Sequence, residues 1–327
     1  MKKRFALALT LIMVLSLVAC GGSKSSSSNS SAPEVVGGGE LTFTTGSETG
    51  TYYGFGTVLA GQISDKTDTT VTAIVGKGSK ANIELMDLGD AQMGLVQSDV
   101  MSYAFNGTSL FENAITSFST VAALYMEQVQ IVTLDPTIKS VADLKGKTVS
   151  VGESGSGVYF NAIDVLSAYD LTLDDINPTY QSFGDSTEAL QDGKIDAGFI
   201  VSGAPTTAVT SLATNRDVYL VELDDEHIAK LQDASPYYSK NVIPAAAYGL
   251  DADATTVAVG AVIIATDDVK EDDIYNVVSG IFEDIDGLAH DKKNELSLDF
   301  ATSVTAVPYH KGAAKYFSEQ GYDVPTK

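Results

Sequence analysis

Five short turns carry most of the side chains that could act on a small molecule: 45–56 (TGSETGTYYGFG), 76–79 (GKGS), 97–99 (QSD), 153–157 (ESGSG) and 202–205 (SGAP). They are dense in hydroxyls, carboxamides and glycine. Their candidate acid–base groups are Asp99 and Glu153, and no nucleophile stands beside a base. Groups of this kind grip and orient a ligand rather than break its bonds: hydroxyls and amides both donate and accept, and glycine lets the backbone come close. The histidines His227, His290 and His310 lack metal-ligand spacing and read as solvent-facing or helix-end residues. A P-loop would need lysine and serine or threonine after its glycines. The tripeptide Gly146-Lys147-Thr148 supplies them, but Val141 stands where the first glycine belongs. No nucleotide, metal or other cofactor is expected.

Each turn follows a strand-like run and opens a stretch of 3.6-residue periodicity. LTFTT leads into YYGFGTVLAGQISDKT, where Tyr52, Phe55, Leu59 and Ile63 share a face; VTAIV leads into KANIELMDLGD; AQMGLV into VMSYAFNG; KTVSVG into VYFNAIDVLSAY; and IDAGFIV into TTAVTSLATN. Of Tyr52 and Tyr53, one is expected in the core and the other free to meet a ligand. The pattern is that of an open α/β sheet. There, ligands bind beyond the carboxyl ends of the strands, where first-turn amides stand unpaired and carry about half a positive charge. Several helix starts aimed at one cleft make an anion site without arginine. Arginine is scarce in this chain, present only as Arg4 and Arg216, and the latter sits in a polar break that reads as a surface loop.

The ends and the composition set the context. Residues 1–19 (MKKRFALALTLIMVLSLVA) join three cations to a short apolar run, the pattern of an export signal. It ends at the lone cysteine, and LVAC at 17–20 resembles a bacterial lipobox, which would make Cys20 the lipid-modified first residue of the mature chain. A lone cysteine forms no internal disulfide, so the exported body must be held by its core. Residues 20–40 read as that anchor plus a Gly/Ser tether with a reach of roughly 25 Å. No later run approaches the roughly eighteen apolar residues of a membrane span. The formal net charge of the 327-residue chain is -23, and loss of Lys2, Lys3 and Arg4 with the signal makes it more negative still. Such a surface repels phosphate backbones, which excludes nucleic acid as a partner.

Taken in order, GTYY (50–53), GKGSKAN (76–82), GLVQSD (94–99), DLKGKTVSVGESGSG (143–157), DGKIDAGFIVSGAP (192–205) and VPYHKGAAKYFSEQGY (307–322) resemble the TAXI family, the solute-binding subunits of tripartite ATP-independent periplasmic (TRAP) transporters. The resemblance implies an α/β, two-lobe periplasmic binding protein type II fold, with hinge strands and a ligand cleft between the lobes. Lobe 1 would comprise 41–130 and 243–327, lobe 2 would comprise 131–242, and the chain would cross near 127–134 and return near 241–248. The ligand contacts implied are Thr51, Tyr52, Ser79, Asn82, Gln97, Ser98 and Asp99 from one lobe, and Ser154, Ser156, Gly157, Gly203 and Pro205 from the other. Asp99 could receive an ammonium group or cap its own helix. Where relatives carry Gly-Thr after the serine of the fourth motif, this chain has Gly157-Val158.

The function implied is a monomeric, non-enzymatic receptor, lipid-anchored outside the cell, that hands a small organic anion or amino acid to a TRAP-type permease; glutamate, glutamine and 2-oxo or dicarboxylic acids are the solutes suggested. A receptor for an ABC importer or a sensor kinase would use the same cleft. An enzyme on a binding-protein scaffold would need a titratable pair, and an adhesin would bind a macromolecule instead.

Overall fold

The computed structural model describes residues 38–327. The export signal, Cys20 and most of the tether lie outside them. Glu40, the last residue assigned to the tether, already opens the first strand.

The strands are β1 (Glu40–Thr44), β2 (Thr70–Ile74), β3 (Met93–Gln97), β4 (Phe118–Thr133), β5 (Thr148–Ser150), β6 (Asn177–Thr179), β7 (Ala197–Ser202), β8 (Tyr219–Leu220), β9 (Ser239–Ile243) and β10 (Ala254–Thr266). The helices are α1 (Thr51–Lys66), α2 (Ser79–Asp87), α3 (Ser98–Asn106), α4 (Gly157–Ala168), α5 (Phe183–Gln191), α6 (Thr207–Ala213), α7 (Asp225–Ala234), α8 (Glu271–Phe282), α9 (Leu298–Ala301) and α10 (Lys311–Glu319). All five expected strand-turn-helix units form. On α1, Tyr52, Phe55, Leu59 and Ile63 are buried together, and Tyr53 is half-buried.

The strands make one mixed sheet in the order β2-β1-β3-β10-β4-β7-β5-β6. Its spine is the antiparallel pair β4 and β10, long enough to serve both halves of the molecule. The carboxyl-terminal part of β10 pairs with β3 (Ala261 opposite Gln97), whereas its amino-terminal part pairs with β9 (Ala258 opposite Ser239). Likewise β4 takes up β7 only from Gln128 onward, opposite Ser202. Both strands are therefore continuous across the middle of the sheet. Two register shifts in their pairing leave Val121 and Leu124 of β4 without opposite numbers, which bends and twists the spine.

The apolar residues sort by half and by face. Val257 and Val259 of β10 belong to one cluster with α4 and α7, while Ala261, Ile263 and Ala265 belong to another with α1, α8 and α10. Val262 and Ile264 point the opposite way, into a cluster with α2 and α3, and Val132 joins Ile200 and Ile243 beneath α5 and α6. A sheet covered on both faces buries near-continuous apolar strands, which accounts for the run TTVAVGAVIIAT. Among the described residues no helix is long and apolar enough to cross a membrane.

Candidate binding site

The carboxyl ends of β1, β2 and β3 in one half and of β5, β6 and β7 in the other open on a single cavity, with about 50 Å³ accessible to the centre of a water molecule. Its walls are helix starts: Gly50 to Tyr52 at α1, Lys77 to Ser79 at α2, Ser156 to Val158 at α4, and Ser182 with Phe183 at α5. Side-chain caps serve only some of them. Ser156 Oγ accepts from Tyr159 N, and Ser182 Oγ from Asp185 N, as a helix start requires. The starts of α1 and α2 have no side-chain cap, and Gly78 takes φ 98°, a backbone conformation suited to glycine. Thr51 N–H is taken by Ser202 Oγ and Ala81 N–H by the Gly155 carbonyl; the other first-turn N–H groups beside the cavity are donors for an anion, and the helix dipoles reinforce them.

The floor has the opposite character. Glu127, on β4, is 2% exposed and accepts a 2.7 Å hydrogen bond from the Tyr52 hydroxyl. Burial raises its carboxyl to about 8, opposed in part by the Tyr52 hydroxyl, by Lys292 and by the Gln97 amide. Beside it lies Gln97, also 2% exposed, whose Oε1 has no hydrogen-bond partner. Gly157 presses against this carboxamide so closely that a Cβ there would stand 1.8 Å from Oε1. At the mouth, half-buried Glu153 is raised by desolvation against the pull of Lys77.

Of the residues expected to contact ligand, Thr51, Tyr52, Ser79, Gln97, Ser156 and Gly157 line this cavity. The others have different surroundings. Asn82 is buried and donates to the carbonyls of Thr45 and Leu95, tying α2 to β3 and to the turn after β1. Ser98 accepts from the Gly260 N–H at 3.0 Å, bracing β10 where it passes from one half to the other. Asp99 is fully buried outside the lining and accepts from Asn161 Nδ2 at 2.9 Å. Ser154 and Pro205 are exposed, and the Gly203 carbonyl accepts from the Thr51 hydroxyl.

Glu127 and the turn 181–183 also line the cavity, although sequence reasoning had not placed them there, and so do Lys77 and Ser202, which belong to the five turns but were not among the expected contacts. Glu127 is the one charged residue in β4, and Ser182 with Asp185 has the spacing of a cap; both signals were present. The histidines sit at helix starts: His310 caps α10, His290 caps a 3-10 turn, and His227 lies in the first turn of α7 against Tyr169. Among the described residues no group of three or more acidic, histidine or cysteine side chains is placed to hold a metal.

The two halves touch around the cavity. Ser202 Oγ donates to Thr51 Oγ1 at 2.9 Å, Ala81 N donates to the Gly155 carbonyl at 2.9 Å, and Lys292 Nζ donates to the Ala204 carbonyl at 2.9 Å. Phe160 of α4 packs into the apolar cluster of the opposite half.

This is the two-lobe fold of the periplasmic binding proteins. It is similar to a putative L-cystine ABC transporter from Listeria monocytogenes at 15% identity and TM-score 0.51, covering 80% of this chain and 98% of that one. It is similar also to an ancestral arginine-binding protein bound to arginine, at 16% identity and TM-score 0.50, covering 78% and 96%. The chain belongs to the NMT1-like family, whose model matches residues 43–321.

Proposed function

We propose that the protein is an extracytoplasmic receptor that captures a small organic acid or amino acid between its halves and delivers it to a TRAP-type membrane permease, anchored through lipid at Cys20. The observation that carries this reading is the meeting of four helix starts, two from each half, around one cavity. Donors so arranged suit a carboxylate, and the backbone-rich walls stand in for arginine, which does not line the cavity. The titratable groups at the cavity are Tyr52, Lys77, Glu127 and Glu153, a binding set rather than a nucleophile with its base, which supports capture over turnover. Solute that binds both halves at once favours the closed arrangement by its differential affinity, and the permease would read that arrangement.

A thermal-shift screen of amino and organic acids tests the reading. A solute at a hundredfold excess over its Kd adds about 2.7 kcal/mol of stability. Tyr52→Ala and Ser156→Ala should abolish the shift while leaving a cooperative melt; no shift with any acid would refute the proposal. The likeness to a putative ABC transporter component favours a second reading, delivery to an ATP-driven importer. Uptake by permease vesicles without ATP would decide for the first.

A further inference from the structure

We propose that Glu127 and Gln97 form an acceptor subsite that selects solutes bearing a protonated amine beside the acid group, and that Glu127 releases a proton when the amine is captured. The proposal rests on the reading of the cavity as a solute site and names the class of solute it takes.

The cavity is polarised. Its walls offer N–H and hydroxyl donors, whereas its floor offers acceptors: the Glu127 carboxyl and the unpartnered Oε1 of Gln97, each on a side chain almost wholly removed from water. A buried acceptor without a donor is costly, and a ligand N–H repairs it. An α-amino acid carries donors and acceptors in the complementary order. A 2-oxo acid of the same skeleton brings no N–H to Gln97 Oε1 and can pair its carbonyl oxygen with Glu127 only while that carboxyl keeps its proton, and sites built around hydrogen-bonding groups discriminate strongly against a ligand that leaves them unpaired.

The groups facing Glu127 are Tyr52 from α1, Tyr125 from its own strand, Asp99 from α3 and Lys292 from the 3-10 turn Asp291–Glu295. Lys292 is already engaged by Glu295 and the Ala204 carbonyl, and Asp99 adds repulsion, so the neighbourhood leaves Glu127 protonated near neutrality. When an ammonium group enters, the Glu127 O–H bond breaks, the proton passes to the buffer, and the carboxylate remains paired with the ammonium. Nothing is oxidised or reduced. Affinity for the amine should therefore rise with pH up to about 8 and then level, while a 2-oxo acid should lose affinity above that point.

Calorimetric titration at pH 7 in two buffers of different ionisation enthalpy tests this with L-glutamate against 2-oxoglutarate and L-alanine against pyruvate. The wild-type protein is expected to release close to one proton per amino acid bound and to bind each amino acid more tightly than its oxo partner. Glu127→Gln should release none and bind the amino acids about tenfold or more weakly, the loss of one charge-assisted contact. Equal affinity for both members of each pair, with no proton released by the wild type, would overturn the subsite and leave the receptor reading intact. If none of the four acids binds, the acid-receptor reading falls as well. The proton count is made on the unaltered chain, so it does not depend on the variant folding.

Discussion

At the scale of the residue, membership of a turn does not say which way a side chain faces. Gln97 reaches the cavity while its neighbours Ser98 and Asp99 brace β10 and meet Asn161, because successive residues entering a helix diverge by about 100°. This is why half of the contacts implied by the resemblance line the cavity, while Asn82, Ser98, Asp99 and Gly203 bond within its surroundings and Ser154 and Pro205 are exposed. Gly157→Ala should separate binding from stability. Its Cβ would displace the Gln97 carboxamide, so solute affinity should fall about tenfold or more, whereas alanine's better helix propensity offsets part of any strain. Calorimetry and a thermal melt on the same sample check both halves of that expectation. Asp99 gives a pH-dependent case. Burial, the largest cause, raises its carboxyl from 3.8 to about 7, so between those values the folded chain holds a proton the unfolded chain has lost. Stability from this group is complete below the lower value and is lost as pH climbs toward the upper one. Asp99→Asn, which cannot ionise, should melt with a flatter pH profile from about 4 to about 7 than the wild type. Parallel profiles for the two proteins would contradict the assignment.

At the scale of the element, alternation and capping residues made five strand-turn-helix units legible. The sixth, β6 to α5, was not, because β6 is the three-residue strand NPT, with a proline and no alternation to read. It nevertheless supplies Ser182 and Phe183 to the cavity. Two serines at helix starts then make a matched comparison. Ser182 is a surface cap, and Ser182→Ala should cost about 1 kcal/mol, lowering Tm by roughly 2–4 °C. Ser98 instead takes the buried Gly260 N–H, and Ser98→Ala would leave that donor without a partner, at about 1–3 kcal/mol. A larger drop in Tm for Ser98→Ala than for Ser182→Ala is the expected order, read by calorimetric melting. Its reversal would mean that β10 does not depend on α3 for its hydrogen bond.

At the scale of the whole molecule, the feature that matters is the continuity of β4 and β10 through both halves. The sequence shows β10 as one apolar run, but nothing in that run says that its ends pair with different neighbours, β9 on one side and β3 on the other. Long-range pairing of this kind is set by the packing of helices on either face, which local periodicity does not encode. Two paired strands are a narrow joint, so the contacts flanking the cavity decide how tightly the halves sit together. Thr51 is central to them: its hydroxyl donates to the Gly203 carbonyl at 3.0 Å and accepts from Ser202, and its N–H reaches the same serine at 3.3 Å. Thr51→Val keeps the shape and removes both hydroxyl contacts, while sparing the helix and the apolar clusters. Each lost bond is worth about 1 kcal/mol to the joined arrangement and little to either half alone, so the equilibrium should move toward separation by about tenfold or more. Small-angle scattering should then show a larger radius of gyration for the unliganded variant than for the wild type, with the difference removed by saturating solute, and solute should dissociate faster. An unchanged radius together with unchanged dissociation would show that the halves are held by the spine alone, and the cavity would have to be treated as a fixed pocket instead of a closing one.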